Sequence, residues 1–220
     1  MRFRTVLFDL DGTLIEHLPA IHRCYAHTLP KLGYAAPTYE EVKRAIGGGL
    51  PRAMARFVPQ ERVEEALAIY RPHWDATMLE GVELMPGARA LLVALREMGV
   101  RSAVFTNKHG PSARRVCEHL GLSDLLDGVF GAGDTEWLKP DIGFAEYVFA
   151  QLNEIPANCC LVGDSPYDVD AAKAVDMAFY GVTTGTHNAA QLAEAGAAYV
   201  DDGFAELAAR WSLSRVVNNL

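Results

Sequence analysis

Val6-Leu7-Phe8-Asp9-Leu10-Asp11-Gly12-Thr13-Leu14 decides how this chain folds. Three apolar residues form a short strand. In extended backbone, residues i and i+2 point the same way, so Asp9 and Asp11 face one site. Gly12 gives the chain a sharp exit. An Asp-Gly turn accounts for Asp11 and Gly12 without any function. It does not account for Asp9, a carboxylate closing an otherwise apolar run.

Working outward, short apolar runs alternate with helical patterns. Ala88, Leu91, Leu92, Leu95 and Met98 repeat at helical spacing between Pro86 and Gly99. Ser102 to Phe105 reads as a second strand. A helix opens near Pro111 and ends at Gly121. Val129-Phe130 is a third strand, and Phe144, Tyr147, Val148 and Leu152 mark another helix. Cys159 to Val162 is a fourth strand, followed by a helix through Ala171, Ala172 and Val175. Ala178-Phe179-Tyr180 is a fifth strand. Strands separated by helices of this length predict right-handed βαβ units and a parallel sheet covered on both faces.

Residues 16 to 83 break the rhythm and show no clear strand. Ile21, Cys24, Tyr25, Thr28, Leu29 and Leu32 form one helical stripe, with Pro30 expected to disturb its last turn. Thr38 followed by Glu41 is a capping-box pattern. Val63, Leu67, Tyr70, Trp74 and Met78 make a longer stripe. This is an all-helical insert whose aromatics read as core.

Three other segments carry chemistry. Val162-Gly163-Asp164-Ser165-Pro166-Tyr167-Asp168 leaves the fourth strand; alone, helix capping explains it. Phe105-Thr106-Asn107-Lys108 leaves the second strand, offering a hydroxyl beside a helix start whose amides suit phosphate. In Leu138-Lys139-Pro140-Asp141, the proline holds Lys139 extended. Together they say more than singly, because ligands bind at the carboxyl ends of parallel strands. Asp9, Asp11, Asp164 and Asp168 would crowd there. Two charges about 4 Å apart repel by roughly 4 kcal/mol at an effective dielectric near 20. Such a cluster takes up protons or binds a cation. All-oxygen ligands favour a hard ion, and Mg²⁺ suits a few carboxylates plus a substrate phosphate.

The chain has 220 residues, 50% hydrophobic and 22% charged, with formal net charge −8. An acidic surface gains nothing from counterion release, so nucleic acid is not expected as a partner. No signal peptide and no membrane span are read. Cys24, Cys117, Cys159 and Cys160 match no zinc spacing and read as buried reduced thiols of a cytoplasmic protein.

The four segments, in this order, resemble the four motifs of the haloacid dehalogenase superfamily. Thr106-Asn107-Lys108, Lys139-Pro140 and Gly163-Asp164-Ser165 are most similar to phosphoglycolate phosphatases. The resemblance implies an α/β fold: a Rossmann-like parallel sheet sandwiched by helices (1–15 and 84–220) with an inserted helical cap (16–83). It implies a Mg²⁺-dependent phosphatase acting on a small phosphorylated metabolite. Asp9 would be the nucleophile. Asp11 would be the acid and base, with a pKa high enough to hold a proton. Mg²⁺ would bridge Asp9, the main-chain carbonyl of Asp11, and Asp164. Asp168 would bind the metal or orient its waters. Lys139 and Thr106 would steady the transferring phosphoryl group, joined by the Asn107 amide. The cap would close about hinges near Ile15-Glu16 and Val82 to Pro86. Gly47-Gly48-Gly49 is either a loop bringing Gly48 to the substrate, with Arg52 for a second anion, or a plain turn. Asp11 argues against a dehalogenase. A phosphonate-cleaving enzyme would need a cap lysine in an apolar setting, which neither Lys31 nor Lys43 has. A sugar phosphomutase and a non-catalytic phosphate-binding module are the remaining alternatives. Both monomer and homodimer are compatible with the sequence.

Overall fold

The structure, a computed structural model, describes residues 3–213. Strand β1 (Thr5–Phe8) is buried at every position because it lies inside the sheet, between two neighbours. Phe8 stands level with Val104 on one side and Val162 on the other, both in parallel register. Alternate side chains enter opposite layers: Val6 and Phe8 join one apolar cluster, Leu7 the other. That is why the run is apolar without polar alternation.

After β1 come β2 (Ile15–Glu16), the helices α1 (Leu18–Lys31), α2 (Tyr39–Ala45), α3 (Leu50–Met54) and α4 (Val63–Thr77), then β3 (Glu83–Leu84). The chain continues as α5 (Ala88–Glu97), β4 (Arg101–His109), α6 (Gly110–His119), β5 (Gly128–Ala132), α7 (Ile142–Leu152) and β6 (Cys159–Gly163). It ends with α8 (Pro166–Ala174), β7 (Ala178–Val182), α9 (Ala189–Ala195), β8 (Val200–Asp201) and α10 (Phe204–Arg210). Among the described residues the main sheet has order β5-β4-β1-β6-β7-β8, with every pairing parallel. The chain fills one side of β1, then crosses to the other, which puts the switch point at β1.

The expected parallel α/β sheet is present, and it extends one strand further, through β8. β4 is longer than the four residues anticipated, and its register with β5 shifts between Phe105 and His109. Cys159 joins one layer and Cys160 the other, so these neighbours point apart and remain free thiols.

The inserted helices enclose an apolar cluster of their own, from Ala20 to Met78. Thr38 and Glu41 form the capping box anticipated for α2. Pro30 sits in the last turn of α1, which stops at Lys31. The expectation of no strand within 16–83 fails at the edges: Ile15-Glu16 pairs antiparallel with Glu83-Leu84. Two-residue strands carry no readable periodicity. This ribbon joins the helical insert to the sheet. Among the described residues, no helix is long and apolar enough to cross a membrane.

Candidate active site

Parallel register sets the site. With Phe8 level with Val104 and Val162, Asp9 leaves the sheet beside the segments carrying Thr106 and Asp164. Gly12 then turns with φ +84°, and a Cβ there would press the Asp164 carboxylate at 2.8 Å. The glycine is therefore needed both for the turn and for the approach of Asp164.

Lys139 is the hub. Its buried ammonium donates to Asp9 Oδ1 at 2.9 Å, Asp168 Oδ1 at 2.6 Å and the Phe105 carbonyl at 2.7 Å, using all three of its protons. Burial alone would lower its pKa; Asp168 and Asp9 outweigh that and hold it above its ordinary value. Asn107 fixes the lysine's backbone: its Oδ1 accepts from Lys139 N at 2.7 Å and its Nδ2 donates to Lys139 O at 3.0 Å.

Asp9, Asp164 and Asp168 are buried, with oxygens all within 4.8 Å of one another. Three carboxylates face one ammonium, so the cluster is short of positive charge. Burial raises Asp9 to about 6, against the pull of Lys139. Burial pushes Asp164 to about 7, and the charges of Asp9 and Asp168 add to it. Oxygen-only donors and excess negative charge fit a hard divalent cation. Asp168 has both oxygens engaged, one by Lys139 and the other by Ser165 N and Oγ. It therefore orients Lys139 and caps α8. Asp164 accepts from Thr13 Oγ1 at 3.0 Å and from Thr186 N and Oγ1 at 2.8 and 2.9 Å.

Asp11 corrects an expectation. Its carboxylate stands outside the acidic triad and pairs with Lys108, whose Nζ lies 2.9 Å from both oxygens. His17 Nδ1 is 3.2 Å away. Burial alone would raise Asp11, but Lys108 and His17 outweigh it and hold the carboxyl well below its ordinary range. The raised pKa anticipated for this residue is not what the resting arrangement provides.

Gly48 and Arg52 also differ from expectation. A cavity of about 480 Å³ opens over the carboxylates, and its lining includes Gly47, Gly49 and Leu50 but neither Gly48 nor Arg52. Gly48 instead lets the helical insert sit on α8: a Cβ would meet Tyr167 Oη at 2.6 Å. The Arg52 guanidinium lies over the Tyr167 ring at 5.9 Å, and Asn107 Nδ2 reaches the Gly47 carbonyl at 3.0 Å. The glycine run is a close contact between insert and sheet. Residues the sequence reading passed over include Lys108, His17, Thr13 and Thr186. Lys108 stood inside the quoted Thr106-Asn107-Lys108 segment, and that position was the available signal.

The sequence profile of haloacid dehalogenase-like hydrolases matches residues 6–182. The chain belongs to that family. This hydrolase is 34% identical over 215 residues to a phosphoglycolate phosphatase of Rhodospirillum rubrum, covering 93% of this chain and 89% of that protein. It is 32% identical over 169 residues to a Mycobacterium tuberculosis protein named tyrosine-protein kinase PtkA, covering 77% of this chain and 58% of that one. Its fold superposes on a crystal structure described as a predicted phosphatase from Clostridium acetobutylicum. That match has a TM-score of 0.89 and 25% identity, covering 96% of this chain and 99% of that chain.

Proposed function

We propose that this hydrolase is a cytoplasmic, Mg²⁺-dependent phosphatase that cleaves a small phosphomonoester through an aspartyl phosphate on Asp9. The observation that carries this reading is the meeting of Asp9, Asp164, Asp168 and Lys139, drawn from three segments, at one buried point. Asp9 Oδ1 accepts from Lys139, which leaves Oδ2 to attack phosphorus. The ester P–O bond breaks, and its electron pair leaves on the alkoxide, which takes a proton from Asp11. Water then attacks the acyl phosphate and gives a proton to Asp11, and the Asp9 carboxylate is released. The Thr106 hydroxyl helps hold the Asp9 carboxyl down, and with Lys139 it would lie where charge develops on the transferring group.

Asp9, Asp164 and the main-chain carbonyl of Asp11 would hold Mg²⁺, with Asp168 behind them. Bound there, the ion offsets the repulsion between a carboxylate nucleophile and an anionic phosphate. Residues 16–83 act as a cap that excludes water. Phosphoglycolate, the substrate in the name of the Rhodospirillum rubrum relative, is the reference compound.

The test is a colour assay of phosphate release over a panel of phosphorylated metabolites, with Mg²⁺ or with EDTA. Release that stops in EDTA and returns with Mg²⁺ is expected. An isomerised phosphosugar without free phosphate would identify a mutase instead, and no reaction with any ester would refute the proposal.

A further inference from the structure

The cavity above the carboxylates is too large and too apolar for a two-carbon leaving group. Its volume of about 480 Å³ lies within the range of about 300–1,000 Å³ typical of sites for sizeable organic ligands. The insert contributes Ile21, Tyr25, Leu50, Tyr70 and Trp74 to its wall, and the segment after β5 contributes Trp137. A carboxylate on the leaving group would need a free cation. Lys108 serves the acid and the phosphate end of the site: it pairs with both oxygens of Asp11 and lies 4.5 Å over the Trp74 ring, so it is not left over for a leaving-group carboxylate. Burial holds His109 below its ordinary value and so towards neutrality. Arg71 lines the cavity from a solvent-exposed position, where an ion pair is screened and worth little. Among these polar groups Tyr25 stands apart. It lines the cavity, it is fully buried, and its Oη has no hydrogen-bond partner among the described residues. A buried hydroxyl without a partner is costly unless a ligand satisfies it.

We propose that the leaving group is a flat, mainly apolar arylmethyl alcohol carrying one polar ring atom, bedded among Tyr25, Tyr70, Trp74 and Trp137, with Tyr25 Oη bonded to that atom. Aromatic walls favour such a ring through area burial and ring–ring geometry. This assignment rests on the phosphatase reading and names the substrate class of the same site.

The experiment compares kcat/KM of the full chain with Mg²⁺ for benzyl, 3-pyridylmethyl and ethyl phosphates and for phosphoglycolate. Benzyl alcohol and ethanol are of similar acidity, so their ratio reports on the cavity, and the Tyr25→Phe variant controls for the greater acidity of pyridylmethanol. The two ring esters are expected to exceed the other two by about tenfold or more. Trp137→Ala, at an exposed position, should shrink the benzyl-to-ethyl ratio several-fold. Tyr25→Phe should erase the advantage of pyridylmethyl over benzyl. Ethyl phosphate or phosphoglycolate matching the ring esters would overturn the proposal. Binding of benzylphosphonate and ethylphosphonate, read by tryptophan fluorescence, needs no turnover. Tighter benzylphosphonate binding without phosphate release from any ester would sink the phosphatase reading alone, whereas equal binding of the two would sink this one.

Discussion

Replacing Asp164 by Asn should make the Mg²⁺-free protein more stable at pH 8. Asp164 rises in the folded state from an ordinary 3.8 to about 7. A carboxyl whose folded pKa lies above its unfolded one stabilises the fold below about pH 4, and that contribution disappears as pH rises through 7. At pH 8 the ionised group therefore costs on the order of 4 kcal/mol. Asn removes the charge and keeps the contacts. Its oxygen can accept from Thr186 N and Oγ1, and its amide can face the Thr13 hydroxyl, which rotates to accept. Allowing for weaker hydrogen bonds, the net gain is about 2–4 kcal/mol, or roughly 4–16 °C in melting temperature for a chain of this size. The assay is thermal unfolding in EDTA from pH 4 to pH 8. The gap between the Asp164→Asn variant and wild type should be absent at pH 4 and widen towards pH 8. Added Mg²⁺ should raise the wild-type midpoint most at pH 8 and leave the variant unmoved. A variant no more stable than wild type at pH 8 without metal would refute the claim that this cluster is short of positive charge.

Asp9→Asn should abolish phosphate release while circular dichroism stays native; turnover at wild-type rates would remove the nucleophile assignment. Lys139→Met strips the ammonium from between Asp9 and Asp168 and should cost about 3–5 kcal/mol in denaturant unfolding without metal. Adding Asp168→Asn to that variant should restore part of the loss, and simple additivity would contradict the pairing. His17→Leu keeps bulk but cuts the link from Asp11 to Met78. It should lower kcat by about tenfold or more with KM little changed. A rise in KM alone would assign His17 to cap packing.

The sheet was legible because buried parallel strands must be apolar on both faces and polar groups collect where they end. Asp9, Thr106 and Asp164 each follow such a run, and register brings them together. β8, α9 and α10 were not anticipated. α9 buries only Leu192 among its seven residues, so it carries almost no periodic signal. Gly48 and Arg52 left two readings open, because a glycine run followed by an arginine looks like a ligand loop as much as a turn. The glycine is there for the Tyr167 contact, which no local pattern announces. Lys108 lies 97 residues from Asp11, and a lysine in a strand-to-helix loop is ordinarily solvated.

In the proposed mechanism Asp11 must gain a proton although Lys108 holds it ionised, and the His17 ring offers a route. The ring stands between two acceptors, the Met78 carbonyl at 2.6 Å from Nε2 and Asp11 Oδ1 at 3.2 Å from Nδ1. A neutral imidazole has one N–H. With that proton on Nε2 for Met78, the contact at Nδ1 becomes a hydrogen bond only if a second proton sits on the ring or on Asp11. Burial and Lys108 lower the ring's own affinity for it, while Asp11 and Met78 pull the other way. A phosphate dianion arriving beside Lys108 would compete for that ammonium and remove the main influence holding Asp11 low. Proton uptake by Asp11 would then accompany substrate binding. Met78 follows the last turn of α4 and His17 precedes α1, so both ends of the helical insert meet at the ring that contacts Asp11. If Asp11 is the acid, as proposed, the same hydrogen-bonded chain would couple the position of the helical insert to it.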